Sequence, residues 1–252
     1  MKNVKRIVAS VLLAAFMLTM LCACGGSKGK KYVIAMDTVF KPFEYTNAEG
    51  EFVGIDVDII KAIAEDQGIE IEINSIGWDS AIAACQAGQA DGMIAGASIT
   101  DERKNSGWIF SDPYYTATQC IAVSADSAYA SVEDLRGKTI AVKTGTQGED
   151  YAKKLAGTYG FNLVNFDDSP TMYQAVEGGQ ADACFEDTPI MKATIKDGSK
   201  LRVLDGSENE GGDYGFAIFN ADNQELLDYF NAGLKNIKAN GTYDKILATY
   251  LG

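Results

Sequence analysis

Gly88-Gln89-Ala90-Asp91 closes one helical pattern and leads into a strand, and the same four residues return as Gly179-Gln180-Ala181-Asp182 at the matching point of a second segment. Working outward, Ile34-Ala35-Met36-Asp37-Thr38 answers to Ile140-Ala141-Val142-Lys143-Thr144 near the head of each segment. Four letters can coincide, so the order of elements carries more weight. In the first segment 32–36 is an apolar strand, and Ile55, Ile59, Ile60 and Ile63 share one face of a helix near 56–66 that Gly68 stops. Ile69, Ile71 and Ile73 alternate with Glu70 and Glu72 as a half-buried strand does, and a second helix at roughly 80–87 has Trp78 in the loop at its entrance. The second segment repeats this grammar. Ser131-Val132-Glu133-Asp134 is a capping-box pattern, 139–142 a strand, 149–156 a helix, 161–166 a strand, and Ser169-Pro170 an N-cap with proline at the first helical position. Two copies of one β-α-β-α-β unit predict an α/β protein of two lobes, each a mostly parallel sheet flanked by helices.

In such sheets ligands bind beyond the carboxyl ends of the strands. The polar loop residues gather there: Asp37, Trp78, 96–103, 143–148 and Glu186-Asp187-Thr188. Lobes that face each other would place all of them in one cleft. Within Ala95-Gly96-Ala97-Ser98-Ile99-Thr100-Asp101-Glu102-Arg103 a strand ends and a helix restarts at Thr100, a good N-cap type. The freed N–H groups and helix dipole favour an anion, and Arg103 on the first turn offers a fork for one carboxylate. Gly96 and Ser98 leave room for backbone and hydroxyl contacts. The last segment, 223–252, carries Leu226, Leu227, Phe230 and Leu234 on one helical face. It needs an apolar sheet face, and the first lobe is short of cover. The chain is therefore expected to return there, giving a first lobe of 32–114 and 214–252, a second of 118–210, and hinge crossings at 113–117 and 211–214.

Composition narrows the chemistry. The 252 residues, 46% hydrophobic and 23% charged with 4 Pro, can bury one large core or two moderate ones. The net charge is −13; the first 23 residues hold Lys2, Lys5 and Arg6 and no acid, so the remainder carries −16. That balance argues against nucleic acid as a partner. There is no His, which removes Ser-His-Asp and Cys-His catalysis and every imidazole metal site. The Cys residues, at 22, 24, 85, 120 and 184, lack C-x-x-C spacing, and neither a metal nor a cofactor is suggested. Cys85, Cys120 and Cys184 sit in apolar patterns as small buried hydrophobes, with one disulfide among them left open.

The basic start followed by an uncharged run from Ile7 to Ala23 has the layout of a signal peptide. Leu21-Cys22-Ala23-Cys24 resembles the bacterial lipobox, which implies removal of 1–23, a lipidated Cys24 as the mature N-terminus, and 24–31 as a tether. An uncleaved single-span anchor is the other reading. In both, the folded part faces outward at the cell membrane.

At the level of whole motifs the chain resembles the polar amino-acid-binding family of extracellular solute-binding proteins of ABC importers. The resemblance rests on Asp37-Thr38-Val39-Phe40-Lys41-Pro42-Phe43-Glu44-Tyr45, Ile99-Thr100-Asp101-Glu102-Arg103-Lys104, Phe110-Ser111-Asp112-Pro113-Tyr114-Tyr115, Ala141-Val142-Lys143-Thr144-Gly145-Thr146 and Asp187-Thr188-Pro189, and it spans 32–252. It implies the periplasmic-binding-protein type II fold, a monomer, and delivery of an amino acid to a permease. It further implies that Arg103, with Ser98, Thr146 and Gln147, holds the ligand carboxylate, and that Asp187, Gly96 and Ser98 hold the ammonium. Asp37, Phe40, Trp78, Lys143 and Glu186 then surround the ligand side chain. On pattern alone Phe40 and Trp78 read as core aromatics, Lys143 as a solvated loop charge and Asp187 as a helix-entry residue. Compared with the glutamine-binding members, Gln147 stands for Gly, Ser98 for Thr, and Glu186 for a His beside the ligand side chain.

The ionisable set, Asp37, Glu186 and Asp187 against Arg103 and Lys143, leaves the expected site at minus one, which disfavours an acidic ligand. A Lys and an Asp together offer the donor and acceptor that an amide requires, so glutamine is favoured. Arginine or lysine is the alternative if Glu186 faces the site and Lys143 is neutralised. A dehydratase-like enzyme on the same fold is the alternative of another class, its proton-transfer group falling to Glu186, Asp37 or Lys143.

Overall fold

The computed structural model describes residues 30–209 and 211–252, so the expectations for the signal peptide, Cys24 and most of the tether lie outside the described residues. Strand β1 (Lys31–Met36) leads through the hairpin β2 (Tyr45–Thr46) and β3 (Phe52–Val53) into α1 (Ile55–Gln67), β4 (Glu70–Ser75), α2 (Trp78–Gln86) and β5 (Gly92–Met93). After α3 (Asp101–Asn105), β6 (Ile109–Phe110) and β7 (Tyr115–Ala117), the second segment runs β8 (Gln119–Ser124), a 3-10 turn at Val132–Leu135, β9 (Thr139–Lys143), α4 (Gln147–Tyr159), β10 (Asn162–Phe166), α5 (Ser169–Glu177), β11 (Ala183–Asp187), α6 (Thr188–Lys196) and β12 (Leu201–Val203). The chain then passes through β13 (Gly212–Tyr214) and β14 (Ala217–Ile218) into α7 (Gln224–Ala239) and α8 (Thr242–Leu251).

Two five-stranded sheets result, ordered β4-β1-β5-β14-β6 and β10-β9-β11-β8-β12. The repeated units supply the parallel pairs, β1 with β5 and β9 with both β10 and β11. Each sheet also takes in an antiparallel strand that the sequence reading did not place. β14 enters between β5 and β6, and β8 enters between β11 and β12. The β7–β13 ribbon, with Tyr115 opposite Tyr214 and Ala117 opposite Gly212, carries the chain between the sheets in both directions.

The four-residue repeat does the same mechanical task twice. The αL glycines Gly88 and Gly179 turn the chain out of α2 and α5, and Gln89 N and Gln180 N each bond back to a helix carbonyl at 2.8 Å. The aspartates then fasten the turn to the first strand of their own repeated unit, β1 or β9. Asp91 accepts from Val33 N at 2.8 Å and Asp182 accepts from Thr139 N at 3.0 Å.

Packing explains the rest. α1 buries Ile55, Ile59, Ile60 and Ile63 against β1 and against Leu226, Leu227, Phe230 and Leu234 of α7, which covers the first sheet as expected. Each such side chain contributes roughly 1.5–3 kcal/mol. Gly233 permits the close approach, since a Cβ there would sit 2.8 Å from Ile63 Cγ2. Cys85, Cys120 and Cys184 are buried and free. Among the described residues no helix is long and apolar enough to cross a membrane.

Candidate functional site

The loops that leave the strand ends converge on one narrow cleft, lined by Asp37, Phe40, Trp78, Gly96, Ser98, Arg103, Lys143, Thr146, Gln147, Glu186 and Asp187, together with Ala95 and Gly148. Thr144, Gly145 and Thr188, expected in the same cleft, are not part of its lining, whereas the residues expected around a ligand all line it. Two of them sit differently from expectation. Trp78 is on the first turn of α2, because Gly77 caps the helix earlier and without a side-chain bond. Gln147 opens α4 with its amide against the backbone of Gly212 in β13, where a Cβ would lie 3.1 Å from Gln147 Oε1.

Arg103 is aimed by its own helix start. Thr100 accepts from Arg103 N at 3.1 Å as N-cap, and the guanidinium donates to Ser98 O at 2.8 Å and across the cleft to Gly145 O at 3.1 Å. It lies against two neighbouring indoles, 5.1 Å from the Trp78 ring and 5.0 Å from the Trp108 ring, which themselves pack at 6.3 Å. The wall at Trp108 has no spacing signal in the sequence. A planar cation fixed by two aromatic faces keeps donor positions in register for a carboxylate.

The second sheet supplies an opposite charge. Asp187 is buried, and its Oδ2 accepts the Tyr214 hydroxyl from β13. Burial and the neighbouring Glu186 push its carboxyl up to about 8, with the Tyr214 bond, Arg103 and Lys143 opposing. Among the described residues no cation is bonded to it, so a ligand ammonium would restore its charge.

At the other end, Lys143 Nζ and Asp37 Oδ2 form a buried ion pair at 2.5 Å, with side chains 5% exposed on each partner. Lys143 also lies 5.3 Å from the Phe40 ring and 5.8 Å from the Trp78 ring. Glu186 is held by three donors: Ser169 Oγ at 2.8 Å, Tyr173 OH at 2.6 Å and Asp187 N at 2.8 Å. Thr146 caps α4 through Glu149 N at 3.3 Å. Phe40 packs against Gly96, where a Cβ would fall 2.4 Å from Phe40 Cε1. Among the described residues no cluster of acidic or Cys side chains could hold a metal ion.

Fold and site together define a two-lobed binding protein of the periplasmic type, with its polar groups split between facing sheets. The model of the bacterial extracellular solute-binding proteins, family 3, matches residues 32–252, and the chain belongs to that family. It is 32% identical over 242 residues to the arginine-binding extracellular protein ArtP of Bacillus subtilis, covering 94% of each chain. An ancestral arginine-binding protein bound to arginine is 34% identical, covers 88% of this chain and 98% of its own, and superposes with a TM-score of 0.81. The GlnP substrate-binding domain 2 of Lactococcus lactis in open conformation is 42% identical, covers 88% and 96%, and superposes at only 0.62. The backbone here thus lies nearer to the ligand-bound relative than to the more identical open one, in keeping with the ion pair and hydrogen bonds that span the cleft.

Proposed function

We propose that this protein binds a polar amino acid between its lobes and delivers it to the permease of an ABC importer, held at the membrane by lipid on Cys24. The reading is carried by one observation: the Arg103 guanidinium on α3 and the buried Asp187 carboxyl at the end of β11, which a ligand ammonium would ionise, line one cleft without being bonded to each other. A buried zwitterion requires such a pair. In this reading Arg103, Ser98 and the N-terminus of α4 at Thr146 and Gln147 take the carboxylate, and Asp187, Gly96 and Ser98 take the ammonium. The lobes, 32–114 with 214–252 and 118–210, close by bending at the β7–β13 ribbon. The protein acts as a monomer.

Glutamine is the first reading on the amide argument, and both conditions set for arginine or lysine, Glu186 at the cleft and Lys143 neutralised by Asp37, are met as well. Asp37 and Lys143 neutralise each other and still present an acceptor and a donor to a side-chain amide, next to Phe40 and Trp78. Arginine or lysine is the second reading, supported by Glu186, which lines the cleft and among the described residues is held by hydrogen-bond donors without a salt bridge, and by the arginine-binding relatives. Binding is favoured over turnover, because Asp37 and Lys143 are engaged with each other and Glu186 holds three hydrogen bonds. A thermal-shift panel of the twenty amino acids decides the ligand. Near ~1,000 times the dissociation constant the stabilisation is about 4 kcal/mol, or roughly 8–16 °C. Glutamine giving the largest shift supports the first choice and arginine the second. No response to any amino acid refutes the binding reading, and chemical change of the amino acid during incubation would establish an enzyme.

A further inference from the structure

Behind the cleft lie two carboxyls that the ligand reading does not use. Glu44 stands in the loop after β1 and Asp56 is the second residue of α1, and both are 0% exposed. Asp56 Oδ2 accepts the Gly96 N–H at 2.8 Å and the Tyr114 hydroxyl at 2.8 Å. Asp56 Oδ1 and both carboxyl oxygens of Glu44 receive no other donor. The backbones of the two residues are tied together, Asp56 N donating to Phe43 O at 2.9 Å, and each carboxyl acts on the ionisation of the other. The nearest cation acting on Glu44 is Lys143, which is already paired with Asp37.

Two ionised carboxylates side by side in a dry interior are disfavoured twice, by desolvation and by mutual repulsion. One proton between them removes the repulsion and supplies the missing donor. The donors decide where it sits: both known ones point at Asp56, so Asp56 is the better anion and Glu44 the better acid. We propose that Glu44 and Asp56 share a single proton, carried by Glu44 as a neutral acid that donates to ionised Asp56. We infer further that this pair positions the cleft by anchoring the Gly96 backbone and the turn that continues to Ser98. Gly96 holds a left-handed φ of +56° in that turn, so its N–H has to be met from beneath.

The groups facing the pair leave it isolated. Asp37 and Lys143 act on Glu44 in opposite senses. Tyr114 is raised well above its ordinary range by burial and by Asp56, and Tyr243 of α8, whose hydroxyl donates to Tyr114 O, is pushed up to about 12. Both phenols therefore stay neutral where the two carboxyls titrate. Burial holds Glu44 far above the usual carboxylate range and brings Asp56 to about 7, against the pull of its Gly96 and Tyr114 bonds.

The test is carboxyl-carbon and amide NMR on the ligand-free protein, where nothing depends on the identity of the ligand. At about pH 8 the Glu44 carbon is expected at the neutral-acid position, the Asp56 carbon at the carboxylate position, and the Gly96 amide proton far downfield. Acidifying below about 7 adds a second proton and moves the Gly96 amide upfield. Glu44→Gln keeps a donor and retains the Gly96 shift, with affinity for L-glutamine within about threefold, whereas Glu44→Ala loses the shift and roughly tenfold or more of that affinity. Two ionised carboxyls at the start, or a Gly96 amide indifferent to Glu44→Ala, overturns the proposal. The affinity readout rests on the glutamine reading. If the NMR signature holds while L-glutamine fails to bind any form, that reading falls and the shared proton stands.

Discussion

Arg103 is placed by a chain of local causes: a helix restart, a threonine cap and two indole walls. Truncating one side of a desolvated charge pair typically costs about 2–5 kcal/mol, so Arg103→Ala is expected to lose ~30-fold to several thousandfold in affinity while keeping its fold. Calorimetric titration showing near-native affinity would remove the carboxylate assignment. Asp187 makes a second prediction. Its carboxyl is raised to about 8 without ligand, so at pH 7 it is largely protonated. An ammonium arriving beside it favours the ionised form, and binding then expels up to about one proton. Affinity should fall as pH drops below about 8, and titrations in two buffers of different ionisation enthalpy should reveal the released proton. That polar residues collect at the carboxyl ends of the strands was legible in the sequence, whereas Phe40 and the part given to each residue came from the family resemblance. The supports of these residues were not legible. Tyr214 reaches Asp187 from 27 positions away, and Trp108 and the Glu44–Asp56 pair act through contacts that no spacing encodes.

Among the elements, the β7–β13 ribbon has the least tolerance. Gly211 enters it at φ +66°, and a Cβ there would lie 1.9 Å from Ala117 O. Neither atom can yield without moving the ribbon. Gly211→Ala should therefore cost at least about 1–2 kcal/mol, lowering the melting temperature by roughly 2–8 °C in calorimetry. An unchanged transition would mean that the ribbon adjusts freely. Helices α1, α4, α5 and α7 could be read from periodicity and caps, within the usual blur at their ends. The antiparallel strands could not. β8 is buried almost throughout and shows no alternation, and β14 is two residues long. Such strands carry no period of their own and are specified only by the sheet that receives them.

Across the whole molecule the buried carboxyls set an unusual response to pH. Glu44, Asp56 and Asp187 all keep protons in the folded state that the unfolded chain gives up above about 4, since their folded values are raised, to about 7 for Asp56 and about 8 for Asp187. The folded state therefore binds more protons, and stability declines as pH rises, by up to about 1.4 kcal/mol per pH unit for each proton held. Ligand-free protein should melt higher near pH 5.5 than near pH 8 in calorimetry. The opposite ranking would show these sites to be ionised throughout. The sheet order has one more consequence, for how the chain is made. All five strands of the second sheet lie between Gln119 and Val203, whereas the first sheet needs β14 as the bridge between β5 and β6. As the polypeptide emerges from its N-terminus, its middle reaches final topology while its beginning still waits for its end. A nascent chain halted short of Ala217 would present a finished half beside an open strand edge at Gly92–Met93, the kind of edge to which a chaperone or another unfinished copy would bind.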